Sequence, residues 1–346
     1  KKMKNLKVKL IGFLLLTFVM VSCGSDEPIA ITPPLNEVLE NLNNGIMEGK
    51  LSEDYTLDPT IQYSLRGAFI IENNGILTIP AGTIITADSG GTEVYIAVLQ
   101  GGEININGNA GNPVVMSSAT GSPGDWGGLT LCGNASTTAG VDASAEVGGF
   151  IYGGTDDVDS SGIIRYLQIV GTGAQINPES QYNGISFYGV GSGTLVDHVA
   201  IINGSDDGVE FFGGTVAVSN LYLENNDDDS IDWTEGWSGS VTNAYISHTV
   251  AGFSTVFEGD KDNANPTFTN ITAVSSVGGT GLQFKKESGA TITGLHLVGY
   301  DVDLDMKDNG ALSNVQIDGT TADATLYTGE TNKYLLNSGK NAAPVA

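Results

Sequence analysis

Three short stretches, Asn183-Gly-Ile-Ser-Phe187, Asp207-Gly-Val-Glu-Phe211 and Asp229-Ser-Ile-Asp-Trp233, decide the fold. Each runs turn residue, apolar residue, variable residue, aromatic, and the aromatics lie 24 and 22 residues apart. The echo continues as Thr255-Val-Phe257, Leu282-Gln-Phe284 and Leu304-Asp-Met306. A repeat of this length built from short strands cannot bury an apolar face alone. It predicts a solenoid in which each repeat is one turn of a coil and stacks on its neighbours.

A second strand per turn surrounds this series: Leu167-Gln-Ile169, Val199-Ala-Ile201, Leu221-Tyr-Leu223, Ala244-Tyr-Ile246, Ile271-Thr-Ala273, Leu295-His-Leu297 and Val315-Gln-Ile317. The position just before these strands holds Asn220, Asn243, Asn270 and Asn314, with Gly294 interrupting. Amides stacked at one corner of successive turns predict an asparagine ladder along the axis. A short third strand follows a Gly-rich corner. Apolar residues at alternate positions on all three fill a long narrow core. Upstream, strands are expected from Tyr63 onward, including Gly75-Ile-Leu-Thr-Ile79, Val94-Tyr-Ile-Ala-Val-Leu99 and Leu129-Thr-Leu131. Residues 133–161, rich in Gly and small polar side chains, read as a long surface loop with a strand at Phe150-Ile-Tyr152. The domain reading is a signal segment over 1–22, a tether over 23–34 and a helical cap over 35–62, where Leu35 to Leu42 has helical apolar spacing. The β-helix then spans 63–320, and 321–346 forms a cap or tail.

Composition narrows the partners. The 346 residues carry 40 acidic against 14 basic side chains, a net charge of −26. Removing the five lysines before Cys23 leaves 9 basic residues and a net charge of −31. Nucleic acid and anionic headgroups are poor partners for such a surface, whereas cations, neutral glycans and basic proteins remain open. The 48 glycines without low-complexity tracts indicate turns in a folded β protein.

At the N-terminus a basic segment, Lys1 to Lys9, precedes an apolar run from Leu10 to Val21. This pattern is a secretory signal, too short to serve as a retained membrane span. Met20-Val-Ser-Cys23 resembles a bacterial lipobox, and Gly24-Ser-Asp-Glu27 resembles the acidic tag of surface-exposed Bacteroidota lipoproteins. The resemblance implies lipidation at Cys23, an outer-membrane location exposed on the cell surface, and membrane contact through the lipid alone. Cys132, the one remaining cysteine, is expected to be a small buried hydrophobe.

Gly75-Ile-Leu-Thr-Ile-Pro-Ala-Gly-Thr-Ile-Ile85, Asp125-Trp-Gly-Gly-Leu-Thr-Leu-Cys-Gly133 and Asp206-Asp-Gly-Val-Glu-Phe-Phe-Gly-Gly214 together resemble the parallel β-helix lipoproteins of Bacteroidota. The match covers roughly Tyr63 to Gly319, and Cys132 departs from that family's usual residue. It implies an all-β, right-handed, single-stranded parallel β-helix, and brings no catalytic residues with it.

Two constellations could carry chemistry. The first is acidic: Asp206, Asp207, Glu210, Asp228, Asp229 and Asp232. Glu210 and Asp232 occupy equivalent outward positions on adjacent turns, at a strand spacing of about 4.8 Å. Stacked carboxylates repel unless a cation intervenes, and Ca²⁺, with six to eight oxygen ligands, suits them. Asp and Asn also shape corners without any ion. Asp206 and Asp207 resemble the paired aspartates of polygalacturonases, with Asp229 as a third candidate. No Gly-His-Gly follows, and Leu282-Gln-Phe-Lys-Lys286 lacks that family's arginine. The second constellation is aromatic. Tyr188 with Phe212, and Tyr222 with Tyr245, point outward by alternation and could form stacking platforms for sugar rings; cross-strand pairing, or cover by the 133–161 loop, explains them equally well. His198, His248 and His296 show no ligand spacing.

These features point to a non-catalytic binding or adhesion module for an extracellular glycan or polymer. A polysaccharide hydrolase or lyase is the second possibility and a structural surface protein the third. An acidic cleft would favour the enzyme; a flat aromatic face would favour binding.

Overall fold

In a computed structural model, residues 35–321 apart from Glu179 are described, and they form a right-handed parallel β-helix capped by one helix. Residues 1–34, including the signal segment, Cys23 and the tether, and residues 322–346 of the expected cap or tail lie outside the described residues.

Each regular turn has three faces. Face A and face B share one long strand that bends at a corner: Gly162–Val170, Leu195–Ile202, Ala217–Glu224, Ser240–His248, Thr267–Ser275 and Ala290–Val298. Face C carries the strands that include the repeats quoted first: Ile185–Tyr188, Val209–Phe212, Asp229–Thr234, Thr255–Gly259, Thr280–Lys285 and Val302–Lys307. Pairing is parallel and in register, so Phe187 lies over Phe211 and Phe211 over Trp233. Alternation sends Ile185, Phe187, Val209, Phe211, Ile231 and Trp233 inward, where all are buried. The Phe187 and Phe211 rings stack with centroids 5.0 Å apart, but the next ring on Phe211 is Trp237 at 4.0 Å. Trp233 instead packs tilted or edge-on against Phe257, Phe268 and Phe284.

The corner between faces A and B explains the asparagines. Asn220, Asn243 and Asn270 adopt φ of 55, 60 and 61°, a left-handed conformation that Asn tolerates better than most residues. Asn270 Nδ2 donates to Asn243 Oδ1 at 3.0 Å, and Asn243 Nδ2 donates to Asn220 Oδ1 at 3.2 Å. Asn220 Nδ2 in turn donates to Asp197 Oδ1 at 2.7 Å, which ends the ladder on a carboxylate. At the next corner Gly294 (φ 70°) has no side chain, and its backbone N–H donates to Asp318 Oδ1.

Two expectations need correction. Asn314 is not a rung: Val315–Ile317 pairs with Ala290–Ile292 on face A, not with Leu295–Leu297, and Asn314 Nδ2 donates to the Glu287 carbonyl. The coil also opens before Tyr63. Ile46–Leu51 pairs in parallel with Gln62–Ile71, so residues expected to form a cap already make the first turn. Among the described residues only helix α1, Leu35–Asn43, precedes it, with Val38 and Leu42 buried in the core cluster.

Candidate functional site: the acidic outer side of face C

The outward positions on face C form one row along the axis. Register places Thr130 beside Ser186, then Glu210, Asp232, Glu258, Gln283 and Asp305. The corner preceding the row adds Asp206 and Asp207 on one turn and Asp228 and Asp229 on the next. The turn there is tight: a Cβ on Gly208 would lie 2.6 Å from the Ser230 carbonyl oxygen, so Asp207 is followed by glycine.

These carboxylates converge. Oxygens of Asp207, Glu210 and Asp232 lie within 4.8 Å of one another; so do those of Asp229, Asp232 and Glu258, and those of Asp206, Asp207 and Asp228. Asp206, Asp207, Asp229 and Glu258 are buried, Glu210 and Asp232 keep part of their surface at solvent, and Asp228 is exposed. Desolvation is the leading cause that drives Asp207, Glu210, Asp229 and Asp232 well above the usual carboxylate range, with neighbouring carboxylates adding to it. Asp206 is pushed up to about 8, by burial first and then by Asp228. Glu210 and Asp232 keep some exposed surface as residues, yet burial of their carboxyl groups is the leading cause of their raised proton affinity.

Several of these groups have structural partners. Asp207 Oδ1 accepts the Asp229 backbone N–H at 2.8 Å, and Asp229 Oδ1 accepts the Thr255 hydroxyl. Asn183 Nδ2 donates to Glu210 Oε2 at 2.6 Å, and Gln283 Nε2 donates to Glu258 Oε2 at 2.9 Å. Lys285 forms a close ion pair with Glu258, and Lys286 pairs with Asp260 at 3.0 Å. Three buried oxygens bordering the row accept no hydrogen bond: Asn183 Oδ1, Asp232 Oδ1 and Gln283 Oε1. Carboxylate oxygens gathered this closely are the donor type that hard divalent cations take.

The 133–161 excursion forms a roof beside this row. Tyr152 contacts Tyr188 at 5.0 Å and donates its hydroxyl hydrogen to Glu235 Oε2, which also accepts from Thr137. Tyr188 and Phe212 stack at 4.0 Å beneath it and are 1% and 3% exposed. They point out of the coil as alternation requires, but the roof covers them. They are therefore not an open sugar platform. Tyr222 and Tyr245 on face B differ: they stack 5.8 Å apart, nearly parallel, and stay partly exposed. The roof also brings Glu146, an exposed side chain close enough to raise the proton affinity of Glu210 and Asp206. Sequence reasoning missed Glu146, because nothing local says where a long loop folds back. It also passed over Glu258, Asn183 and Gln283 as ligands, although the face C register alone places Glu258 and Gln283.

The row of outward carboxylates on one face of a parallel coil leads to the comparison with known families. The pectate-lyase-like β-helix domain matches residues 49–343. The chain belongs to the pectate-lyase-like β-helix family. Comparison with curated proteins returns no match, and comparison with solved structures returns none either. As a pectate-lyase-like β-helix, the chain presents its acidic row on the long sheet surface that such a coil builds. The basic side chains around that row are few. Lys285 is engaged by Glu258, and Arg165 lies on face A, in register with Asp197.

Proposed function

We propose that this chain is a cell-surface module, lipidated at Cys23 and held at the outer membrane by that anchor, which binds an extracellular glycan and holds Ca²⁺ in its acidic row. The pectate-lyase-like family supports a role with carbohydrate. One observation supports the binding reading: three overlapping sets of carboxylates, in each of which one oxygen per residue lies within 4.8 Å of the others, crowd negative charge that a cation would offset. Asp206, Asp207, Glu210, Asp228, Asp229 and Asp232 would hold the cation, with Glu258 as a further ligand, and the ion would supply a positive charge that offsets their repulsion. Tyr222 and Tyr245 offer a second, aromatic contact surface for sugar rings.

The test is thermal melting of the soluble domain. Ca²⁺ at a hundredfold excess over its Kd should add about 2.7 kcal/mol of stability. Mg²⁺ should replace it poorly, since it demands a tight octahedron. A Glu210→Gln, Asp232→Asn double variant should lose most of the gain. If chelator leaves the parent's melting unchanged, the cation reading fails. Anchoring has its own check: palmitate labelling should vanish in Cys23→Ala, and a label that persists overturns it.

Cleavage of a polysaccharide is the second reading, and Asp206 favours it. A carboxyl that keeps its proton to about pH 8 can act as a general acid, with Asp207 and Asp229 as neighbouring carboxylates. Release of new reducing ends or unsaturated products from a polysaccharide panel, abolished in Asp206→Asn, would establish it.

A further inference from the structure

A cleft of about 530 Å³ lies between the tip of the 133–161 roof and two corners of the early coil. Those corners follow Gln62–Ile71 and Tyr95–Val98, strands that pair in parallel on adjacent turns. Its lining combines apolar Leu99, Phe150 and Ile151 with polar Glu72, Asn73 and Gln100. The volume falls within the roughly 300–1,000 Å³ of small-ligand sites, which likewise pair apolar walls with a few polar groups. The acidic row contributes no residue to it.

Neighbours set these side chains in place. The partly exposed Phe150 ring lies 6.1 Å from Tyr95, which stacks on Tyr182 at 5.2 Å, so other rings back it. A Cβ on Gly148 would collide with the Phe150 ring, and one on Gly101 would collide with Asn73 Oδ1. Gln100 Nε2 donates to the Gly133 and Gly153 carbonyls at 3.1 and 3.2 Å, which fixes its amide and ties coil to roof. Its Oε1 accepts no hydrogen bond among the described residues. Asn73 is exposed, and its carboxamide has no hydrogen-bond partner among them either. Glu72 is already neutralised by Lys50 at 2.9 Å. A sugar ring has an apolar C–H face and a rim of hydroxyls that donate and accept. A backed aromatic ring suits that face, and carboxamides suit the hydroxyls. The lining holds no unpaired cation for a uronate, so a neutral sugar fits it.

We propose that this cleft is a binding subsite for a neutral sugar unit, stacked on Phe150 and hydrogen-bonded through its hydroxyls to Asn73 and Gln100. The inference rests on the glycan-binding reading above and gives that glycan a class and a place. The roof thus covers one aromatic pair, Tyr188 with Phe212, and presents a different ring.

Calorimetric titration of the full chain with cello-, xylo- and manno-oligosaccharides and with oligogalacturonate tests this, in chelator and in Ca²⁺. At least one neutral oligomer should bind, with the same affinity in both conditions and at low and high salt, because no ion pair is involved. Phe150→Leu keeps apolar bulk against Tyr95 but removes the flat ring, and should weaken binding about tenfold, or about 1.4 kcal/mol. Asn73→Ala, an exposed change, should weaken it about threefold without moving the melting temperature. Should Phe150→Leu melt below the parent, Asn73→Ala alone decides. Binding that both variants leave unchanged, and that Tyr222→Ala with Tyr245→Ala abolishes, overturns the cleft and leaves glycan binding standing. Affinity that vanishes in chelator places the ligand at the acidic row and overturns the cleft as well. Oligogalacturonate bound more tightly than every neutral oligomer overturns the neutral class. No binding to any of the four overturns this inference and the glycan reading together.

Discussion

Asp232 concentrates the problem that the acidic row must solve. Its Oδ1 is buried without a donor, while Glu210 and Glu258 sit on the strands to either side. In chelator, Asp232→Asn should therefore raise the melting temperature, since it removes a repelled carboxylate and keeps the shape. In Ca²⁺ the same variant should melt below the parent. A variant that melts lower in both conditions would show that Asp232 contributes through local hydrogen bonds instead. Trp233 is a different kind of residue: buried among Phe257, Phe268 and Phe284, it fills the core. Trp233→Ala should cost about 3–5 kcal/mol in reversible unfolding. Individual residues were unevenly legible in the sequence. Inward aromatics followed from a period of one coil, and Glu210 beside Asp232 followed from the same register. The outward placement of Tyr188 and Phe212 follows from alternation, but Tyr152, which covers Tyr188, lies more than thirty positions away, and no local pattern encodes that fold-back.

The corner ladder is the element whose energetics separate most cleanly. Asn243 is a middle rung: it donates to Asn220, accepts from Asn270, and holds φ near 60°. Asn243→Ala loses both hydrogen bonds and adds a left-handed penalty of roughly 1–2 kcal/mol. Asn243→Gly loses the same bonds but tolerates the backbone. Denaturant unfolding should thus rank parent above glycine variant above alanine variant; an alanine variant as stable as the glycine one would contradict the strained corner. The ladder was visible as recurring Asn before apolar triplets. Its last rung is not legible, because Val315-Gln-Ile317 has the same apolar alternation as both halves of the long strand, and alternation alone does not say which side of the bend a triplet occupies. The first turn is hidden in the sequence for a related reason. Ile46-Met-Glu-Gly-Lys-Leu51 lacks the aromatic signature of later coils, and its register shifts between Met47 and Gly49.

For the whole molecule, two sets of buried groups give opposite responses to pH. His248 is buried, stacked on Phe253 at 3.6 Å, with Nε2 near Ser230 Oγ and Nδ1 near the Tyr300 hydroxyl. Burial lowers it to about 4, so the unfolded chain binds the extra proton between about pH 6.5 and 4, and stability contributed by neutral His248 is lost as pH falls through that window. The raised carboxyls behave in reverse. The native state binds more protons, and stability falls as pH rises towards the folded value, about 8 for Asp206. Above about pH 6.5 the carboxylates act alone. Melting in chelator should therefore drop between pH 6.5 and 8.5, and Ca²⁺ should flatten that slope. A melting temperature that rises over this interval in chelator would contradict the buried repulsion. Helix α1 has a consequence of another kind. Among the described residues Ile46–Leu51 pairs with one strand alone, Gln62–Ile71, and the helix lies against that first described turn with Val38 and Leu42 in the core. Without it, a row of backbone donors and acceptors would stand open at one end of a stack that already repeats at fixed spacing, a template on which further chains could add. Removal of residues 35–43 should turn a well-behaved coil into one that joins others through its open end, read as growth in light scattering with concentration, so nine residues of helix decide whether the stack stops or continues.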